Sequence, residues 1–319
     1  MTGTDNPTDR PSDPTSSDTG NGEPHGPPQR PHVQRHGATP RSPGRPPHAV
    51  ICLVQHVDVE PVEVEPVPIA SQQSLEIASR RDPYVRYDGA LLPGDTAYRW
   101  GSAYALRTMP HSPRRRGPRG TVLGPDDADA AALLAWVART RPWGDLAGIS
   151  VERHREPTLH DHFVVGAGGD WDWWWSTVAP PRTPGEDLVV ALDDTADAAA
   201  LTALNELGNP TAESEPGTGR TEMWAGVRDE RDGSRIIAAA ALHRSRTGHG
   251  VLTGIVVDPA HRGHGLGRAV TAALTRRCIE ADGVATLGMY ADNDTARSLY
   301  TSLGYRVAHE FSSRAVTPR

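Results

Sequence analysis

The chain has no lysine: all 33 of its basic residues are arginine. That excludes a Walker-type phosphate loop, which needs a lysine for the terminal phosphates. It also points to a GC-rich, bacterial coding genome. Cysteine is nearly absent, with only Cys52 and Cys278 in 319 residues. A disulfide framework is therefore unsupported, and a reducing cytoplasm fits. No run of 18 apolar residues occurs, so no membrane-spanning helix is expected. Between Thr2 and His48 the only large apolar residue is Val33. That stretch lacks the apolar core of a secretory signal. The formal charge of −7 argues against a general nucleic-acid binder.

The same stretch, residues 1–48, cannot bury enough apolar surface to offset its ordering entropy, and reads as a disordered tail. Residues 49–119 read as a poorly structured extension. The valine-rich part of it, 49–69, is confined by its prolines to an edge strand or a linker. Patterned sequence begins soon after Met109, which makes Met109 a candidate start, testable by N-terminal sequencing of the native protein. Residues 120–185 form an αβ segment. A helix is expected over 126–139 with Asp126 or Asp127 as cap, and strands over 148–153 and 162–167. A turn at Gly168-Gly169-Asp170 then leads into Trp171-Asp172-Trp173-Trp174-Trp175. From 186 the pattern is regular: strand, helix, a hairpin over 221–245, strand 251–257, helix 266–281, strand 284–290, helix 293–303 and strand 304–314.

The chemistry concentrates at Val257-Asp258-Pro259-Ala260-His261-Arg262-Gly263-His264-Gly265-Leu266-Gly267-Arg268. A strand ends, a glycine turn follows, and a helix begins. Glycines let the backbone approach a ligand and adopt positive φ. The N–H groups of the turn and of the helix N-terminus converge on one place, where the helix dipole adds positive potential. A pyrophosphate suits that place. The glycine spacing does not fit the dinucleotide fingerprint G-x-G-x-x-G, which disfavours a dehydrogenase. A second pattern follows at Asn293, Ala296, Leu299, Tyr300, Leu303, Gly304 and Tyr305. Its apolar members lie on one helix face, Asp292 or Asn293 can cap, and Gly304 suits the residue just past the helix.

Val257, Pro259, Arg262, Gly265 and Gly267 fill V-x-P-x-x-R-x-x-G-x-G, and the second stretch fills N-x-x-A-x-x-L-Y-x-x-L-G-Y. Together they resemble the acyl-CoA loop and last helix of the GNAT acetyltransferases, over residues 186–319. The resemblance implies an α/β GNAT fold, with a mixed, mostly antiparallel sheet flanked by helices, behind a long, partly disordered N-terminal extension. It implies acetyl-CoA as cosubstrate and acetyl transfer to an amine by direct attack in a ternary complex. A small-molecule acceptor is the first expectation and a protein amine the second. Backbone groups of Gly263, His264, Gly265, Leu266, Gly267 and Arg268 would bind pyrophosphate, with Arg262 and Arg268 as countercharge. Ile255, Val256 and Val257 would pair with the pantetheine arm, an N–H near Val256 polarising the thioester carbonyl. Asn293 would contact the CoA arm, and Tyr300 would protonate the departing thiolate.

No carboxylate stands where many relatives place a base. His249, Glu222, Asp292 and Tyr290 remain candidates. That gap motivates a second reading, an acyl-CoA-binding sensing or interaction module without turnover. The tryptophan run is either core or interface packing, or an aromatic wall for the acceptor. His160 and His162 have too few neighbouring ligands for a metal site, and none is expected. A homodimer stays open. No membrane or nucleic-acid partner is expected.

Overall fold

The computed structural model describes residues 65–108 and 117–319. The expected tail over 1–48, Cys52 and Met109 lie outside them. The described residues fall in a single unit, Pro61–Arg319.

Two consecutive runs of elements share one order, save that the first has two short helices where the second has one. The first is β1 (Val67–Ile69), α1 (Gln72–Ala78), α2 (Pro83–Tyr87), β2 (Ala97–Trp100), β3 (Ala103–Thr108), β4 (Arg119–Leu123), α3 (Asp127–Thr140), β5 (Gly148–Glu152), α4 (Leu159–His162) and β6 (Phe163–Ser176). The second is β7 (Val190–Leu192), α5 (Ala198–Gly208), β8 (Met223–Arg228), β9 (Ile236–Arg244), β10 (Gly250–Val257), α6 (Leu266–Asp282), β11 (Ala285–Tyr290), α7 (Asp294–Ser302) and β12 (Arg306–Pro318). The twelve strands among the described residues form one sheet, ordered β1-β2-β3-β4-β5-β12-β6-β11-β10-β9-β8-β7. Read inward from either edge, five strands of one half end against the last strand of the other. The halves thus exchange their final strands, β6 and β12, which pair antiparallel at the centre. Among the described residues only β4–β5 and β10–β11 are parallel, so the sheet is mixed and mostly antiparallel.

Helices cover both faces, which is why the strands lack simple alternation. In β9, Ala238, Ala240 and Leu242 face the cluster containing Val270 and Leu274 of α6, while Ala239 and Ala241 face Leu201 and Leu204 of α5. In β3, Ala103 and Ala105 pack towards α3, and Tyr104 and Leu106 towards α1 and α2.

This two-sided burial corrects the reading of residues 49–119 as poorly structured. From residue 65 to 108 the segment supplies three strands and two helices. Its strands are short; β3 is buried on both faces, while β1 and β2 bury one residue each, so neither helical nor strand period shows. Pro68 does sit on an edge strand, since β1 ends the sheet. A chain starting at Met109 would lack β1 to β3 and expose the edge of β4. Nor does the sheet respect a division at 120 or at 186.

A second correction concerns Gly168-Gly169-Asp170. These residues run straight through β6, paired with Arg314, Ser313 and Ser312 of β12. A methyl group at Gly168 would collide with the Ser313 carbonyl oxygen. Glycine is there because two backbones approach beside a bulge, not because the chain turns. No described helix is long and apolar enough to cross a membrane.

Candidate active site

The glycine turn joins β10 to α6. Asp258, 2% exposed, organises its start: its carboxylate accepts from the Ala260 N–H at 2.9 Å and pairs with Arg235. Gly263 and Gly265 have φ of +83° and +79°, which other residues seldom adopt, and a methyl on either would meet nothing within 4 Å. Gly265 caps α6 without a side-chain acceptor. The Ala269 N–H is the first in α6 to reach a helical carbonyl, that of Gly265, at 3.0 Å. Among the described residues, the backbone N–H groups of Gly263 to Arg268 find no protein acceptor. A 17-residue helix therefore presents its positive end to open space. Coenzyme A fits this donor set, because its diphosphate supplies acceptors and negative charge.

The expected countercharges stand at the rim in defined positions. Arg262 donates to the Gly208 carbonyl at 3.0 Å, and Arg268 to Ser302 Oγ at 2.6 Å. Both line the cavity that opens from the turn, with Gly263, Gly265, Leu266 and Gly267. His264 does not line it; its ring turns back to the His261 carbonyl at 3.2 Å.

Above the turn the sheet splits. β10 and β11 pair only through Val251–Thr286 and Leu252–Leu287. From residue 253 to 257, β10 has a partner on the β9 side alone. Its bulge lies between Thr253 and Val256, with Gly254 at φ +58°. Ile255, Val256 and Val257 border the resulting notch, within a cavity of about 1200 Å³. An extended polar chain can add to such an unpaired edge.

Tyr300 of α7 also lines this cavity, at 6% exposure. Burial raises its phenol above the ordinary value, so it stays protonated and able to donate. Asn293 borders the cavity while its Oδ1 caps α7, accepting from the Ala296 N–H at 3.0 Å. Of the four candidate bases, Glu222 and Tyr290 line the cavity; His249 and Asp292 do not. His249 instead packs edge-on to Tyr87, at 5.1 Å between ring centroids. The Glu222 carboxyl is held below its ordinary range, first by its hydrogen bonds from Arg244.

The equivalent place in the first half is shut. β4 and β5 stay paired through four registers, from Arg119–Gly148 to Val122–Val151. The Asp126 side chain caps α3 by accepting from the Asp129 N–H at 2.9 Å, and Asp127 and Asp129 put two more carboxylates in the first turn. Such an end repels an anion.

What the first half contributes is the far wall of the cavity. Trp171 and Trp173 line it, with Tyr84, Asp88, Thr121 and Ser150 from the segment and strands that sequence reading left without a role. Trp173, 1% exposed, donates to Asp88 Oδ2 at 2.9 Å and meets Tyr84 edge-on at 5.6 Å. Trp171 stacks on Phe311 at 4.6 Å. Trp174 points to the opposite face, towards Tyr300. The run is thus core packing on both faces, and Trp171 and Trp173 are also cavity wall. These residues come from α2 and its end and from three strands, β4, β5 and β6, so no local motif announces them.

Two buried charge clusters lock the halves together. Asp172, fully buried, pairs with Arg153 of the first half and, at 2.7 Å, with Arg297 of α7. His309 of β12 lies between Glu152, at 2.5 Å, and Asp82, at 2.9 Å. Burial opposes its charge, but hydrogen bonds to Asp82 and Glu152 outweigh that and raise it to about 9. Among the described residues no cluster of His, Cys, Asp and Glu is arranged to hold a metal.

Residues 226–313 match the family model described as FR47-like protein. Over 165 residues the chain is 24% identical to GCN5-related N-acetyltransferase 2, chloroplastic, of Arabidopsis thaliana, an alignment covering 50% of this chain and 60% of that relative's length. A GCN5-related N-acetyltransferase from Sphaerobacter thermophilus superposes over 78% of this chain and 93% of its own, at 15% identity and a TM-score of 0.49. A GNAT-family protein from Novosphingobium aromaticivorans does so over 76% and 96%, at 20% identity and 0.43. The turn and terminal helix both fall inside the segment that the family model matches, and the chain is similar to a GCN5-related N-acetyltransferase.

Proposed function

We propose that this protein moves an acetyl group from acetyl-CoA to an amine by direct attack. One observation carries the reading. A run of acceptor-free N–H groups at the start of α6 opens into the same cavity as a split strand pair and a protonated tyrosine. Gly263 to Arg268 bind the diphosphate, and residues 255–257 hold the pantetheine arm along β10. An N–H near Val256 stabilises the developing oxyanion. The cosubstrate supplies an activated acyl carbon. The amine nitrogen bonds to that carbon, the carbon–sulfur bond breaks, and the amine gives up its proton to water. Tyr300 delivers a proton to the departing sulfur and regains one from water. The acceptor reaches the notch from the face lined by Trp171 and Trp173.

A reading as a binding module without turnover has one observation in its favour. Arg244 holds Glu222 ionised and weakly basic, and two other candidate bases stand outside the cavity. Both readings are tested together. Calorimetric titration of acetyl-CoA into the full chain should show binding. A Gly265→Val variant, strained at φ +79° and obstructing the helix end, should weaken it at least about tenfold. Thiol release with an amine panel then separates enzyme from module. A folded chain that binds no acetyl-CoA overturns both.

A further inference from the structure

The cavity floor beyond the notch carries a polar row where a core is expected. Gly169 of β6, Ser313 of β12, Ser150 of β5 and Thr121 of β4 lie side by side in register across four strands. Their neighbours on the same face are large and apolar: Leu123, Phe311 and Trp173. Thr121, Ser150 and Ser313 are 1%, 7% and 4% exposed, yet all line the cavity. Ser150 and Ser313 share one hydrogen bond of 2.6 Å, and Ser313 also accepts from Trp171 Nε1 at 2.8 Å. Two hydroxyls carry two hydrogens, and their shared bond uses one. Among the described residues nothing accepts the other. A buried unpaired donor costs about 1–3 kcal/mol, so a row of this kind suits a polar ligand lying over it. Arg119, two residues from Thr121 along β4, also lines the cavity; its guanidinium reaches back over Gly148 of β5 and donates to the Arg314 carbonyl at 3.5 Å.

Spacing sets the ligand's length. From the notch at β11, the row crosses β6 and β12 to Ser150 on β5, and then reaches Thr121 and Arg119 on β4. Three to four strand spacings amount to about 14–19 Å. An amino acid is too short to bridge that distance, whereas four or five extended residues span it.

Building on the acetyltransferase reading above, we propose that the acceptor is an elongated, peptide-like amine. Its nitrogen enters the notch beside Trp171, its hydrogen-bonding groups lie over the Ser313–Ser150–Thr121 row, and a terminal carboxylate meets Arg119. The first half, its own notch closed, serves as the acceptor-binding half.

The test uses the full chain, acetyl-CoA and oligoglycines of one to five residues, each as free acid and as C-terminal amide, with thiol release and product mass as readouts. kcat/KM should climb with length to a maximum at four or five residues. The free acid should exceed its amide by roughly ten- to a hundredfold, the value of one charge-assisted contact. Arg119→Gln should abolish the acid–amide difference through KM. Should that variant not fold, Ser150→Ala should raise KM for the long peptides and leave glycine unaffected. Glycine turned over as well as tetraglycine, amide equal to acid, or no turnover across the series while acetyl-CoA still binds overturns the proposal. Absent acetyl-CoA binding would overturn the transferase reading beneath it.

Discussion

His309 should make this protein less stable as pH rises through the alkaline range. Its imidazolium sits between the carboxylates of Asp82 and Glu152, 8% exposed and stacked on Phe311 at 5.3 Å. In the unfolded chain a histidine releases its proton near 6.5, whereas here it holds the proton to about 9. The folded state thus binds the proton more tightly. The stabilisation is fully present below about 6.5 and is lost as pH climbs through about 9. That difference corresponds to about 3 kcal/mol. Unfolding in urea, followed by tryptophan fluorescence at pH 6.5 and pH 9.5, measures it. Other groups titrate over the same span, so His309→Gln is run beside the wild type and the difference between the two curves is read. At pH 6.5 the variant should be less stable by about 3 kcal/mol, because two partly buried carboxylates lose their cation. By pH 9.5 the gap should narrow by about 3 kcal/mol. A gap independent of pH between these limits would refute the account of His309 as a buried cation.

Two further outcomes follow from the site and the seam. Tyr300→Phe should leave the acetyl-CoA dissociation constant unchanged and lower kcat by about a hundredfold or more, measured by thiol release at saturating cosubstrate. Asp172→Asn should cost about 1–3 kcal/mol in chemical denaturation, because Arg153 and Arg297, each about one third exposed, would face a buried amide in place of the carboxylate.

The cofactor side of the site was legible in the sequence for local reasons. Gly263 and Gly265 adopt the positive φ for which glycine is suited, and α6 runs from Leu266 to its glycine stop at Gly283. Asn293 caps α7 as its position suggested, and Asp126 caps α3. The acceptor side was not legible. Ser313, Ser150 and Thr121 are separated along the chain by more than a hundred and by some thirty residues. They meet only because β12 and β4 flank β5. The Trp171–Trp175 run invited both a packing and a wall reading. Strand alternation places Trp171 and Trp173 on one face and Trp174 on the other, and the cavity lies against the first.

The sequence by itself determined the second half's order of strands and helices, the glycine turn with its bare helix end, and the lack of such a turn in the first half. Each depends on backbone preference, capping or periodicity within a few residues. The tertiary structure alone decided that 65–108 completes a second copy of the same order, that Gly168 continues a strand, and that β6 and β12 change places between the halves. Those outcomes depend on which strands lie side by side and which faces are covered. A chain buried on both faces carries no periodicity to reveal its partners, and pairings across more than a hundred residues are settled by contacts that no local stretch encodes.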